Sequence, residues 1–353
     1  MGTEARPAYA PHLDGLRAVS VAAVAWSHWL PGWQFGLPFG AGVHLFFVLS
    51  GFLITRILLG LRTAPDRPSA VGRFYLRRAL RLFPAFYVVL AVAWAADVPL
   101  AATTWPWHAA YLSNAYIAWQ GMWQGHFSHF WSLAVEEQFY LLWPWAVVWL
   151  PARRLPWLFA ATVLLGPATR LAADARGLGE PFWALVPGGS ADSLGVGAFI
   201  AWMAWAQRPG DAVPRVWPRA GAIGIAVWLA LAIPEWLGAT LPSGITVWRQ
   251  VAQALVFAWI VWRGVEGWPG VAGRLLGHPA VVAVGRISYG IYLVHPFAPI
   301  VLDAALRAAG LPPSMEFGLP LRAMLSWGLS IALATLLWHV VEAPWHRLKA
   351  RLA

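Results

Sequence analysis

The sequence predicts an all-α, polytopic integral membrane protein with about ten transmembrane helices and both termini cytoplasmic. Three observations predict it. The 353 residues are 59% hydrophobic and only 11% charged, with a mean hydropathy of +0.59, a composition that soluble domains do not have. Apolar stretches near the length needed to cross a bilayer recur from end to end. With the N-terminus inside, only Arg170, Arg176, Arg249, Arg307 and Arg322 of the 25 Lys/Arg fall on the outer side, as the positive-inside rule requires.

The candidate spans are 16–31, 40–60, 80–97, 131–150, 155–172, 183–206, 218–236, 245–263, 278–300 and 321–341. The first contains Arg17 and His28 and lacks a small-residue cleavage site, so it reads as a retained span after a cytoplasmic tail, 1–11, rather than a signal peptide. A basic inner loop, 61–80, leads into the third span. Segment 105–119 is moderately apolar, but a span there would invert every later loop; 98–130 is therefore assigned to an outer loop or re-entrant piece. A second cytoplasmic tail covers 343–353. No internal repeat is visible, and 1–353 reads as one membrane-embedded domain. The net charge of +10 would suggest nucleic acid in a soluble protein. In a bilayer protein it points to topology and to an anionic ligand, with no nucleic-acid partner. The chain has no cysteine, which excludes disulfides, thiolate metal sites and a Cys-bound acyl intermediate.

The chemistry concentrates in the first span. In LDGLRAVSVAAVAWSH (Leu13–His28), Arg17 and His28 lie within roughly 20° of each other around the helix and about 16 Å apart along it. Asp14 falls roughly 40° to the other side of His28. Ionisable groups at such positions usually face a protein interior or a water-filled cavity. The alternative is an arginine reaching the headgroups and an interfacial histidine.

The inner loop holds FYLRRALRLFP, which reads as an amphipathic helix running into the third span. Arg73, Arg77 and Arg81 recur every four residues and share a face, with Arg78 beside them. They suit attraction to anionic lipid or, because the guanidinium fork matches phosphate, a phosphate-binding cluster. The outer loop carries Trp105, Trp107, His108, Trp119, Trp123, His126 and His129. These suit an interfacial aromatic belt or flat surfaces for sugar rings, with Trp131 next to them. No helical His-x₃-His spacing appears, and no metal is expected. Glu136 begins the fourth span as His28 ends the first, so both are expected at similar depth. Glu136 is expected to orient His28 or bind acceptor hydroxyls, with Tyr140 one turn on; placement at a helix N-terminus capped by Ser132 is the alternative. Glu137 points elsewhere. Ser50 and Gly51 suggest close helix packing. Ser288, Tyr292 and His295 share a face in the ninth span, as supporting groups or interhelical hydrogen bonds. Asp192 reads as a satisfied intramembrane acid, Glu342 as a boundary charge facing Arg347, and Arg286 as a helix-start charge or further phosphate contact.

Taken together, LDGLRAVSVAAVAWSH, GVHLFFVLSGFLI (Gly42–Ile54), YLRRALRLFP (Tyr75–Pro84), FWSLAVEEQFYLLWP (Phe130–Pro144), ADSLGVGAFIA (Ala191–Ala201), GRISYGIYLVHP (Gly285–Pro296) and VEAPWHRL (Val341–Leu348) resemble the bacterial integral-membrane acyltransferase family 3. The resemblance covers almost the entire chain. It implies ten spans in the bacterial inner membrane, a cytoplasmic acyl-CoA donor (acetyl-CoA first among them) and a carbohydrate acceptor reached from outside. It also implies functional roles for Arg17, His28, Arg77, Arg78, Arg81 and Glu136. The chain departs from the family pattern at His44, where aspartate is common, and at Ser190, where many members carry arginine. The hydrolase-like C-terminal domain that some relatives carry is not expected here, so acceptor handling is expected in the membrane part or in a partner.

Acyl transfer from a thioester to a hydroxyl needs a base and a holder for a polyanionic donor. Imidazole, with an unperturbed pKa near ~6.5, suits the first task, so His28 is the expected general base; an acylated His28 ranks below that reading. Arg17, Arg77, Arg78 and Arg81 are expected to hold the phosphates. The acceptor is expected to be a cell-envelope or exported glycan, with a glycosylated small molecule such as a macrolide as the alternative. The competing class is a transporter passing acyl groups to a partner enzyme, disfavoured by the lack of inverted repeats.

Overall fold

The computed structural model describes residues 10–179, 182, 186–207 and 216–351, and every regular element among them is helical. Helix α1 spans Pro11–Trp29. It starts at a proline, tolerated in a first turn, and stops before Pro31. Helix α2 (Gly42–Leu61) is the most buried of the described helices that are long and apolar enough to cross a membrane. Helix α3 (Arg67–Ala95) is capped by Asp66, whose carboxylate accepts from the Ser69 amide at 3.1 Å. The hydroxyl and amide of Ser69 hold the Asp66 carboxyl below the usual carboxylate range. The basic stretch is thus continuous with the third span, through Pro84.

Residues 98–130, expected as an outer loop, fold into α4 (Ala101–Ala109), α5 (Ser113–Gln120) and a 3₁₀ turn at Gly125–Phe127. His108 is fully used there, with Nδ1 2.8 Å from Ser113 Oγ and Nε2 3.0 Å from Thr104 Oγ1. Then follow α6 (Phe130–Trp149), α7 (Leu155–Asp174), α8 (Ala191–Ala206), α9 (Val216–Trp236) and α10 (Trp248–Glu266). The chain continues through α11 (Gly270–Leu276), α12 (Pro279–Arg286), α13 (Ser288–Val294), α14 (Ala298–Ala308) and α15 (Leu319–Leu337). A π-helical turn, Trp338–Glu342, leads into α16 (Ala343–Arg351). The tail expected at 343–353 is therefore helical as far as it is described. Most of the tail 1–11 and residues 183–185 of the sixth candidate span lie outside the described residues.

Each of the other candidate spans falls on helix, yet among the described residues six helices are long and apolar enough to cross a membrane by themselves. The ninth span, expected as continuous at 278–300, is broken. Helices α13 and α14 meet at 65°, with His295, Pro296 and Phe297 at the corner. Proline removes one helix hydrogen bond and disfavours helical geometry in the residue before it. That corner shapes the site.

Two apolar clusters fill the bundle. One joins α2, α6, α8 and α10 through Val48, Phe52, Trp143, Val196 and Val261; Trp143 Nε1 donates to Thr55 Oγ1 at 2.7 Å within it. The other joins α1, α3, α6, α13 and α15 through Val21, Phe86, Phe130, Ile291 and Leu337. Packing of this kind in a bilayer rests on close van der Waals contact, which small residues permit. At Gly51 a Cβ would strike the Leu194 carbonyl, and at Gly197 the Val48 carbonyl, so α2 and α8 meet backbone to backbone. Arg170, counted in the sequence among outer-side charges, is instead fully buried in α7, with Nη2 2.6 Å from Asp192 Oδ2 and Nη1 donating to the Gly189 carbonyl at 2.6 Å. A charge taken into the interior persists when paired and hydrogen-bonded, and Asp192 is the satisfied acid expected.

Candidate functional site

Three cavities lie in series along α1. The middle one, about 200 Å³, is lined by Arg17, Arg78, Arg81 and Arg286, by Ser50, Glu136, Tyr140 and Ser288, and by Tyr289 and Tyr292. A second, about 480 Å³, opens at the His28 end of α1. A third, about 430 Å³, lies at the Arg17 end with Asp14, Trp338, Glu342 and His346 on its walls. The middle cavity shares Arg17, Arg81, Arg286 and Tyr289 with the third, and Val43 and Tyr292 with the second.

The middle cavity is cationic. Arg78 stacks over the Tyr140 ring at 3.5 Å and lies 3.8 Å from Glu137. Asp14 stands 4.0 Å from Arg17 and 3.9 Å from Arg286, between the two. Arg17 Nε and Arg78 Nε are buried without a hydrogen-bond partner among the described residues. Groups like these are costly to leave unsatisfied and suit an anionic ligand. Glu136 accepts a 2.7 Å hydrogen bond from Ser50 Oγ.

The second cavity is built around the proline corner. In a continuous helix the amide of residue 296 would donate to the carbonyl of Tyr292, but Pro296 has no N–H. His295 Nδ1 takes that place, 2.8 Å from the Tyr292 oxygen. Phe297 N–H turns to the Val294 carbonyl, which leaves the Leu293 carbonyl to His129 Nε2 at 3.2 Å. The Pro296 carbonyl is met by His126 Nδ1 at 3.0 Å. The corner thereby fastens the segment before α6 and aims His295 at α1.

His28 Nδ1 lies 2.9 Å from His295 Nε2, with the rings 14° from parallel. A carbonyl accepts only, so His295 Nδ1 carries the hydrogen that faces Tyr292. In a neutral ring His295 Nε2 is then the acceptor, and His28 Nδ1–H donates to it. His28 Nε2 is left with a free lone pair, and His28 lines the second cavity. Tautomers follow from such networks rather than from heavy-atom positions; here the carbonyl fixes the order. Tyr292, at the wall between the cavities, hydrogen-bonds Ser132 Oγ at 2.5 Å and donates to the His129 carbonyl at 3.1 Å.

Several sequence expectations need correction. Glu136 does not meet His28: it lies in the arginine cavity with Ser50, and His295 is the partner of His28. Tyr140 accompanies Arg78 in that cavity and not Trp131, which lines the second. Arg77 lines none of the three cavities, and its Nε donates to the Arg73 carbonyl at 3.2 Å. At 100° per residue, 78, 81 and 85 form the row facing the bundle, whereas the row of 73 and 77 is rotated away. Ser132 does not cap α6; it lies within the helix, and with Tyr292 donating to the His129 carbonyl its hydroxyl donates to Tyr292 Oη. Glu137 pairs with Arg78, and Glu342 lines the third cavity with Arg17 and Arg81 instead of marking a boundary. Ser288, Tyr292 and His295 do share a face, which brings them to the middle cavity, the dividing wall and the dyad respectively. Tyr289 and Arg322 enter the site only through the fold, while His126 and His129, read in the sequence as part of an aromatic belt or sugar-stacking set, hold the proline corner instead.

The family model described as an acyltransferase domain, type 3, matches residues 11–339. The chain is 38% identical over 152 residues to the peptidoglycan O-acetyltransferase OatA of Listeria monocytogenes, covering 38% of this chain and 24% of that protein. It is 37% identical over 156 residues to the putative peptidoglycan O-acetyltransferase YrhL of Bacillus subtilis (40% and 24%). It is 34% identical over 160 residues to the putative O-acetyltransferase SACOL0978 of Staphylococcus aureus (40% and 25%). The matched stretch is about a quarter of the length of these curated relatives. No solved structure matches the chain. With the model running from the start of α1 into the π-helical turn, and so across all three cavities, the chain belongs to the acyltransferase 3 family.

Proposed function

We propose that this multi-pass membrane protein is an O-acyltransferase. It moves an acyl group, acetyl first among them, from cytoplasmic acyl-CoA to a carbohydrate hydroxyl of a cell-envelope glycan, peptidoglycan being the kind its relatives' names give. The reading sets ten spans in the bacterial inner membrane, both termini cytoplasmic, and the Arg17 end of α1 inside.

One observation carries it: the lone pair on His28 Nε2, fixed by His295, in a cavity whose wall is shared with an arginine-lined one. His28 Nε2 takes the proton of the acceptor hydroxyl as its oxygen bonds the thioester carbon. The resulting imidazolium keeps its Nδ1–H on His295 Nε2, so the partner ring holds the base in one orientation and solvates its charge, as the third group of a catalytic triad does. When the carbon–sulfur bond breaks, the His28 proton passes to the thiolate and the pair returns to its starting state. Arg17, Arg78, Arg81 and Arg286 supply the fixed positive charge for the donor's phosphates. Their two buried, unpartnered Nε atoms fit a group with more acceptors than the protein itself provides.

Purified full-length protein in lipid nanodiscs, given labelled acetyl-CoA and a panel of glycans, tests the reading. Label recovered in an alkali-labile glycan ester supports it. Label that appears only as free acetate, or that crosses a vesicle without forming an ester, refutes it.

A further inference from the structure

Arg322 stands in the wall of the second cavity, well away from the arginines of the donor side. Its guanidinium is pinned from behind: Nε donates to Ser314 Oγ at 2.9 Å, and Nη2 lies 3.8 Å from Asp303 Oδ2. Asp303 is itself held by the Ser314 amide at 2.8 Å. Nη1 makes no hydrogen bond among the described residues, and no carboxylate is among the residues lining the cavity. The other walls offer Trp29, Trp123 and Trp131 with His28 and His126. The volume, about 480 Å³, falls in the ~300–1,000 Å³ range of small-ligand sites.

From this arrangement we infer that the acceptor is an anionic glycan, whose oxyanion is held by Arg322 while a hydroxyl reaches His28. The inference rests on the reading that the second cavity takes the acceptor. The indole faces stack on the sugar. A guanidinium held in one orientation before binding loses little freedom when it meets a carboxylate or phosphate, and charge-assisted hydrogen bonds of that kind are the strong ones. The anion has two possible sources: a carboxyl group on the sugar itself, or the diphosphate of a lipid-linked glycan.

The test compares three acceptors in nanodiscs: a uronate-containing oligosaccharide, its carboxyl-reduced counterpart, and the reduced oligosaccharide joined to polyprenyl diphosphate. Wild-type kcat/KM is expected to favour an anionic acceptor over the neutral one by about tenfold or more, through KM. Preference for the uronate assigns the charge to the sugar, and preference for the lipid-linked form assigns it to the carrier. Arg322→Gln should bring the ratio near one, and Arg322→Lys should keep part of it. Quenching of tryptophan fluorescence by the same ligands, in His28→Ala protein, reads the preference without turnover. If binding discriminates while no ester forms, the acyltransferase reading fails and the anion site stands. Equal binding and equal kcat/KM for charged and neutral acceptors, or a preference that survives Arg322→Gln, overturns the inference.

Discussion

His295 accepts the Nδ1–H of His28 because its own Nδ1–H is committed to the Tyr292 carbonyl, 2.8 Å away. That carbonyl is free only because residue 296 is proline. The orientation of the expected base on α1 is thus set by a helix break 267 residues further along the chain.

Removing the partner ring should misalign His28 without removing it. His295→Ala should lower kcat by about 10²-fold, the scale of a sub-ångström to ångström misplacement of a reacting group, with little change in either KM. His295→Gln, whose side-chain carbonyl accepts from His28 Nδ1, should recover a large part of that loss. Steady-state kinetics on the three proteins checks this; equal loss in both variants would reduce His295 to a packing role.

The arginine row makes a sharper distinction than charge alone. Arg78→Ala and Arg81→Ala should each raise the donor KM about tenfold, as expected for losing a hydrogen bond to a charged group. Arg77→Ala, which removes the same charge from a side chain outside the cavities, should leave the donor KM within twofold. Donor titrations at saturating acceptor separate the two rows. A comparable rise in all three would mean the cluster acts as a diffuse field.

Close approach of α2 and α8 predicts a contrast between two glycines. Gly51→Ala places a methyl against the Leu194 carbonyl and should destabilise the detergent-solubilised protein by ~1–3 kcal/mol. Gly72→Ala in α3 meets nothing within 4 Å. It should be neutral or stabilising by up to about 1 kcal/mol, since alanine is the better helix former. Thermal melts followed by size-exclusion chromatography would compare them.

Topology can be read on a chain that contains no cysteine. Arg73→Cys should react with a membrane-impermeant maleimide only after cells are opened, and Trp123→Cys in intact spheroplasts. Reversed labelling would invert the proposed entry sides of donor and acceptor.

Much of the helical framework was legible because lipid-facing and buried surfaces are both apolar, so each long apolar run marks a helix. Spacing shows which arginines share a face, but only the packing of α1 and α6 shows which face turns inward, and that packing leaves Arg77 outside the cavities. Of the two roles the sequence leaves open for Glu136, contact with His28 does not form, because equal depth is not contact and Ser50 on α2 lies 2.7 Å away. The broken ninth span did carry a sequence signal, the His295–Pro296 step, since proline cannot continue the hydrogen-bond ladder. What the sequence could not show is that the freed carbonyl would be met by the histidine beside it. Arg322, Tyr289 and His126 reach their cavities through long-range packing alone.

The most direct test is the rate of labelled glycan ester formation by His28→Ala against wild type, in protein whose binding of acetyl-CoA has been measured. Loss of a general base predicts a fall in kcat of roughly 10²–10⁴-fold, with the donor still bound. Ester formation within a few fold of wild type would show that another group takes the hydroxyl proton, and would contradict the account.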